Sequence, residues 1–178
     1  AFYDQRADIY DEQNDIPDRV QRREDINKIY HSKLKDLIKS DAITYLDFGC
    51  GTGTSTNQFL SGLNEYASVE KGYALDISEE MVKIAKKNLP DFTVLNGGPM
   101  DLDFENEFDL LTSFFHVLCH FDKNELRAFF ENAYKGLKVG GILCFDVVAQ
   151  FDVGEQGYTQ EDNDLGRKYL AYHSIKKD

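Results

Sequence analysis

Cations are scarce in this chain: 20 lysines and arginines stand against 32 aspartates and glutamates, a formal net charge of −12. Such a field repels polyanions, so nucleic acid is not an expected partner without a local basic patch to offset it. The basic clusters are Arg19/Arg22/Arg23 and Lys83/Lys86/Lys87; both sit among acids at helical spacing and read as solvated helix faces. Cysteine is sparse too. Cys50, Cys119 and Cys144 form no CxxC pair, which argues against disulfides or zinc and for packed thiols in a reducing compartment. No metal site is expected. No apolar run approaches the roughly 18 to 20 residues of a membrane span. The acidic start AFYDQRADIYDEQND lacks the basic region and apolar stretch of a signal peptide. These absences predict a cytoplasmic protein with no membrane partner. The first residue is Ala1, so a trimmed start is expected.

What is present suffices for one domain, with 178 residues of which 42% are hydrophobic. From Ile26 to Ile38 apolar residues recur at helical spacing. Then short β-rich runs alternate with helical ones: ITYLDFG, a helix over Thr54 to Leu63, GYALDI, a helix over Ser78 to Asn88, and FTVLNG. FDLLTSFF, a helix over Lys123 to Leu137 and GGILCFDVV complete the alternation. Ser78 and Asp122 are good N-caps, and Pro90 helps to stop the helix before it. The pattern predicts an α/β, Rossmann-like, doubly wound and mostly parallel sheet flanked by helices. We expect an N-terminal helical cap over 1–40, a core over 41–150 and a partial C-terminal region over 151–178. Ligands in such sheets bind beyond the carboxyl ends of the strands.

The most informative stretch is Asp47-Phe48-Gly49-Cys50-Gly51-Thr52-Gly53, between a strand and a helix. Glycines allow close backbone approach to a ligand, although a tight turn without a ligand uses them as well. A dinucleotide loop presents amides and a helix N-terminus to a pyrophosphate. Here Asp47 precedes the first glycine by two residues, and Thr54 takes the place of the third glycine of GxGxxG. A carboxylate there opposes a diphosphate and favours a cationic nucleoside such as S-adenosylmethionine. Asp76, at the end of the next strand, is placed to accept from both ribose hydroxyls; as a loop acid it could also cap the Ser78 helix.

Together YLDFGCGTG, GYALDISEEMVKIAKKN and FDLLTSFFHVLCHF resemble the class I S-adenosylmethionine-dependent methyltransferases. The look is that of small-molecule N- and O-methyltransferases of the glycine and amino-sugar type, over Phe2 to about Val148. The resemblance implies S-adenosylmethionine as cofactor, with Gly49, Gly51 and Gly53 under its methionine part and ribose. It implies Asp47 near the amino group, usually indirectly, Asp76 on the ribose and Ile77 against the adenine. Phe48 and Phe114, at strand ends, fall in the same crevice. Met100 and Asp101 match the loop that flanks adenine, with Asp101 accepting from its exocyclic amine, although Gly98 stands where the family usually has an acid. Phe2-Tyr3-Asp4 through Tyr10-Asp11 resembles an N-terminal pattern that covers the cofactor. Two tyrosines packing a terminal helix is the other reading of Tyr3 and Tyr10, and Arg19 could reach the cofactor carboxylate.

Methyl transfer from a sulfonium is an in-line displacement that chiefly needs alignment. A base enters only when the acceptor must lose a proton. His116, just past the fourth strand, is the candidate, with His120 one turn on; a histidine in an apolar run also serves structurally. The expected function is methyl transfer to a small-molecule nitrogen or oxygen. The alternatives are a truncated or non-catalytic nucleoside-binding module and, less favoured, an NAD-dependent oxidoreductase. The superfamily usually ends in a sixth strand and an antiparallel seventh. The polar DVGEQGYTQEDNDLG is expected as a loop and RKYLAYHSI as one strand, so the C-terminal strands read as incomplete.

Overall fold

The computed structural model describes residues 3–149 and 168–176. A 3-10 turn at Asp4–Arg6 leads into α1 (Ala7–Asn14) and the long α2 (Pro17–Leu37). The core then alternates β1 (Ala42–Phe48), α3 (Thr54–Leu63), β2 (Ser68–Asp76), α4 (Glu79–Asn88), β3 (Phe92–Asn96) and β4 (Phe108–Ser113). It closes with α5 (Lys123–Gly136), β5 (Leu137–Ala149) and β6 (Lys168–Lys176). Phe2 and the polar stretch expected as a loop lie outside the described residues.

The sheet order is β3-β2-β1-β4-β5-β6. The first five strands pair in parallel, and β6 lies antiparallel against β5. Side chains alternate between faces as a period of two demands. On β1, Ile43 and Tyr45 join one core with Tyr30 and Leu34 of α2 and Phe59 of α3. Leu46 and Phe48 join the other, with Phe129 and Ala133 of α5. Helices thus cover both faces, as the near-continuous apolar strands required.

Local chemistry sets the helix starts. Ser78 accepts from the Met81 amide at 3.3 Å. Asp122 accepts from Asn124 and Glu125 amides while Glu125 accepts from the Asp122 amide, a reciprocal cap. Each cap is worth about 1 kcal/mol. Because β1 is flanked by β2 on one side and β4 on the other, the chain reverses direction across the sheet at β1. The crevice for a ligand opens at that switch point, between the ends of β1 and β4.

Candidate functional site

The glycine loop after β1 is folded back on β2. Gly49 and Cys50 amides both donate to the Leu75 carbonyl, at 2.7 and 3.1 Å, and the Gly53 amide donates to the Cys50 carbonyl at 2.9 Å. The Gly51 amide donates to Asp76 Oδ2 at 2.8 Å. Four of the loop's amides are therefore already spent inside the protein, which leaves fewer donors for a pyrophosphate. Two glycines matter for different reasons. Gly49 (φ +81°) packs so close to Val117 that a Cβ would fall 2.5 Å from its side chain. Gly51 (φ +55°) has nothing within 4 Å of where its Cβ would be. Its bare backbone faces open space.

That space is a cavity of about 880 Å³. Its floor carries Phe48, Gly49, Gly51, Asp76 and Ile77, and Phe114 and His116 stand on the β4 side. Tyr3 and Tyr10 close it from the N-terminal segment. Of the residues expected at the site from sequence, Tyr10, Phe48, Gly49, Gly51, Asp76, Ile77, Phe114 and His116 are brought together in this wall. Gly53 is not: it faces Leu89, where a Cβ would meet carbon at 2.8 Å, and starts α3 with φ +81°. Met100 is 63% exposed and also lies off the wall. Asp101 also lies off the wall and accepts from the Gly98 amide of its own turn at 2.8 Å. In that loop the wall is made by Gly97 and Gly98.

Asp47 lies beneath the loop and off the wall of the large cavity, buried among Thr56, Thr112 and Tyr45. Its oxygens accept from Thr56 Oγ1 at 2.6 Å and Thr112 Oγ1 at 2.9 Å. Burial pushes its pKa up to about 6 despite those two donors. Asp76 is also raised by burial, although the amides of Ser78 and Gly51 pull against that. Both Asp76 oxygens take one amide, and a carboxylate oxygen has room for a second donor.

The N-terminal segment is latched over this floor. Asp11 of α1 accepts from Thr52 Oγ1 at 2.7 Å and Thr54 Oγ1 at 2.9 Å, so the threonine in the third glycine's place holds the cover. Asp4 accepts from Ser78 Oγ at 2.6 Å, and Tyr3 Oη meets His120 Nε2 at 3.1 Å. Lys83 behaves as the solvated helix face expected, pairing with Glu80 at 2.7 Å and Glu79 at 3.4 Å. For Arg19, Arg22 and Arg23 that description is incomplete: one face of α2 also carries them into the cavity rim. Arg19 donates to the Gln13 carbonyl and Asn14 Oδ1, and Arg23 to Gln58 Oε1 and the Asn14 carbonyl.

Past β4 the chain makes a strained turn, with Phe115 at φ +60° and His116 at φ +68°. A left-handed non-glycine residue costs roughly 1–2 kcal/mol, so the turn must be held. Asp146 of β5 holds it, accepting from the Phe115 amide at 2.8 Å and the His116 amide at 2.6 Å. Sequence reasoning did not single out Asp146, although a lone acid inside an otherwise apolar strand was its signal. Nor did it single out Tyr30, whose helix-periodic position read as plain core.

The sequence pattern of a methyltransferase domain matches residues 46–141, from within β1 to the start of β5 and more than half of the chain. The chain belongs to the methyltransferase domain family. The resemblance drawn from its motifs is borne out, and so is the parallel α/β sheet. A dTDP-3-amino-3,4,6-trideoxy-alpha-D-glucopyranose N,N-dimethyltransferase of Streptomyces venezuelae is 30% identical over 119 residues, 65% of this chain and 48% of that protein. An uncharacterized methyltransferase of Bacillus cereus is 29% identical over 155 residues, 80% of this chain and 69% of its own. The methyltransferase domain thus spans about half the length of the first relative. In fold it is similar to S-adenosylmethionine-bound CalS10, an amino pentose methyltransferase from Micromonospora echinaspora involved in calicheamicin biosynthesis. That match has a TM-score of 0.61 and 23% identity, and covers 73% of this chain and 52% of that one. Among the described residues, no helix of the methyltransferase domain is long and apolar enough to cross a membrane.

Proposed function

We propose that this domain binds S-adenosylmethionine and directs methyl transfer to a nitrogen or oxygen of a small molecule. The observation that carries the reading is the state of the loop: the amides of Gly49, Cys50, Gly51 and Gly53 are taken by Leu75, Asp76 and Cys50, while Gly51 offers bare backbone to the cavity. A carboxylate below and another beside the loop favour a cation and disfavour a diphosphate, which counts against a dinucleotide oxidoreductase. In this reading Asp76 accepts from the ribose hydroxyls and Ile77 lies against the adenine. Tyr10, on α1, shields the site from water. The segment 1–40 acts as the cap, and 41–150 as the core that it covers.

When bound, S-adenosylmethionine supplies a methyl group already activated by its sulfonium. The protein's own part is to align the acceptor, exclude water and take up a proton. His116 lines the cavity with its side chain 28% exposed, placed to accept the proton that an amine or hydroxyl acceptor releases. The cavity volume lies toward the upper end of the roughly 300–1,000 Å³ usual for ligand sites, which supports room for a second small molecule. The amino-sugar methyltransferases similar to this chain support the same acceptor class.

Isothermal titration of the folded chain with S-adenosylmethionine, its demethylated product and NADH tests the cofactor. Heat is expected with both sulfur nucleosides and not with NADH. No heat with either nucleoside, or tight NADH binding, would reject the proposal. A methyl-transfer assay on amine and hydroxyl panels, amino sugars included, tests the acceptor class.

A further inference from the structure

We propose that Asp146 is the positioning residue for His116, holding its imidazole with the proton on Nδ1 so that Nε2 presents a lone pair to the cavity. This rests on the reading of His116 as proton acceptor given above. The geometry is specific. Asp146, 5% exposed within β5, is approached by donors from two sides. On Oδ2 it accepts from Tyr30 Oη of α2 at 2.9 Å and from the Phe115 amide at 2.8 Å. Oδ1 accepts from the His116 amide at 2.6 Å and stands 3.3 Å from His116 Nδ1. That last separation is of ion-pair length and not aligned as a hydrogen bond; such contacts are often loose before substrate binds and tighten afterwards.

Nδ1 is fully buried, yet the side chain is 28% exposed and lines the cavity. The exposed part of the side chain is therefore not Nδ1, the atom nearest Asp146. A carboxylate accepts only, so it selects the tautomer with a proton on Nδ1. As the acceptor's N–H or O–H bond breaks, an Nε2–H bond forms, and the new positive charge sits against Asp146. Tyr30 fixes the carboxylate in turn: its ring stacks on Phe114 with centroids 4.2 Å apart and planes 7° from parallel. The strained turn at Phe115–His116 and the buried acid are thus one device, assembled from β4, β5 and α2.

Nitrogen NMR of the imidazole, at a pH where the ring is neutral, reads the tautomer in the wild-type chain without any activity. A dominant Nδ1–H form is expected; a dominant Nε2–H form overturns the proposal. Asp146→Asn should erase the preference and lower kcat at least about tenfold, with S-adenosylmethionine affinity within about twofold of wild type. An Asp146→Asn chain that folds and keeps both tautomer and kcat also overturns it. Tyr30→Phe removes one donor from Oδ2 and leaves Oδ1 intact, so the tautomer should persist. Its loss there as well would assign the effect to the rigidity of the turn and sink the proposal. If His116→Asn turns over as wild type while the Nδ1–H form dominates, the proton-acceptor reading fails but the Asp146 arrangement stands.

Discussion

Asp47 keeps its proton to a higher pH in the folded domain than in the unfolded chain, with a pKa moved from 3.8 to about 6. The sign follows directly. The folded state loses stability as pH rises through that window, and the loss is complete above it, on the order of 3 kcal/mol. Asp47→Asn is therefore expected to raise Tm above about pH 7, the gain shrinking toward about pH 4, while weakening S-adenosylmethionine. Thermal denaturation across that range checks the first half and calorimetry the second; a variant less stable at the higher pH would mean that the Thr56 and Thr112 bonds outweigh burial. Asp76→Ala removes the acceptor facing the cavity and should weaken the cofactor by roughly 1.5 to 3 kcal/mol, the range for charge-assisted hydrogen bonds. Unchanged affinity in titration would remove Asp76 from the site. Gly51→Ala places a methyl group into the open cavity at φ +55°, and should weaken the cofactor more than it lowers Tm.

At the scale of elements, α1 is held to the glycine loop by one residue. Asp11→Ala deletes both threonine bonds, while α1 buries only Ala7. Hydrogen exchange of residues 7–14 should therefore quicken with little change in Tm, because local opening is uncoupled from global unfolding. A Tm drop as large as that of a core truncation would show α1 to be part of the cooperative unit. How well each element could be read from sequence followed its patterning. α3 and α4 begin within a residue of where glycine, Ser78 and the apolar spacing put them. The long α2 starts at Pro17, nine residues before the periodic stretch at Ile26. Its first half is charged and carries no apolar stripe, so Pro17 at the first turn and the helical spacing of Arg19, Arg22 and Arg23 were what marked it. β4 stops at Ser113 and not through FF, because Phe115 and His116 turn left-handed under the pull of Asp146.

For the molecule as a whole, the charge of −12 acts in opposite directions on folding and on ligand binding. Raising ionic strength from about 0.01 to about 0.15 M shortens the Debye length from about 30 to about 8 Å. Self-repulsion is then screened, so Tm should rise, while attraction of a cationic nucleoside is screened too, so its affinity should fall. Affinity that rises with salt would contradict the electrostatic account of the site. Sequence alone determined the order of strands and helices along the chain, the glycine loop and the two acids at strand ends, because periodicity, caps and turn chemistry act between near neighbours in the chain. Tertiary structure decided which loop amides were already taken and which arginines reach the rim. It also decided that Asp11 would grip Thr52 and that Asp146 would meet His116 and Tyr30. Those partners lie 30 to 116 residues apart: pairing of β4 with β5 brings His116 to Asp146, and the packing of α1 and α2 on the sheet brings Asp11 and Tyr30 to their partners.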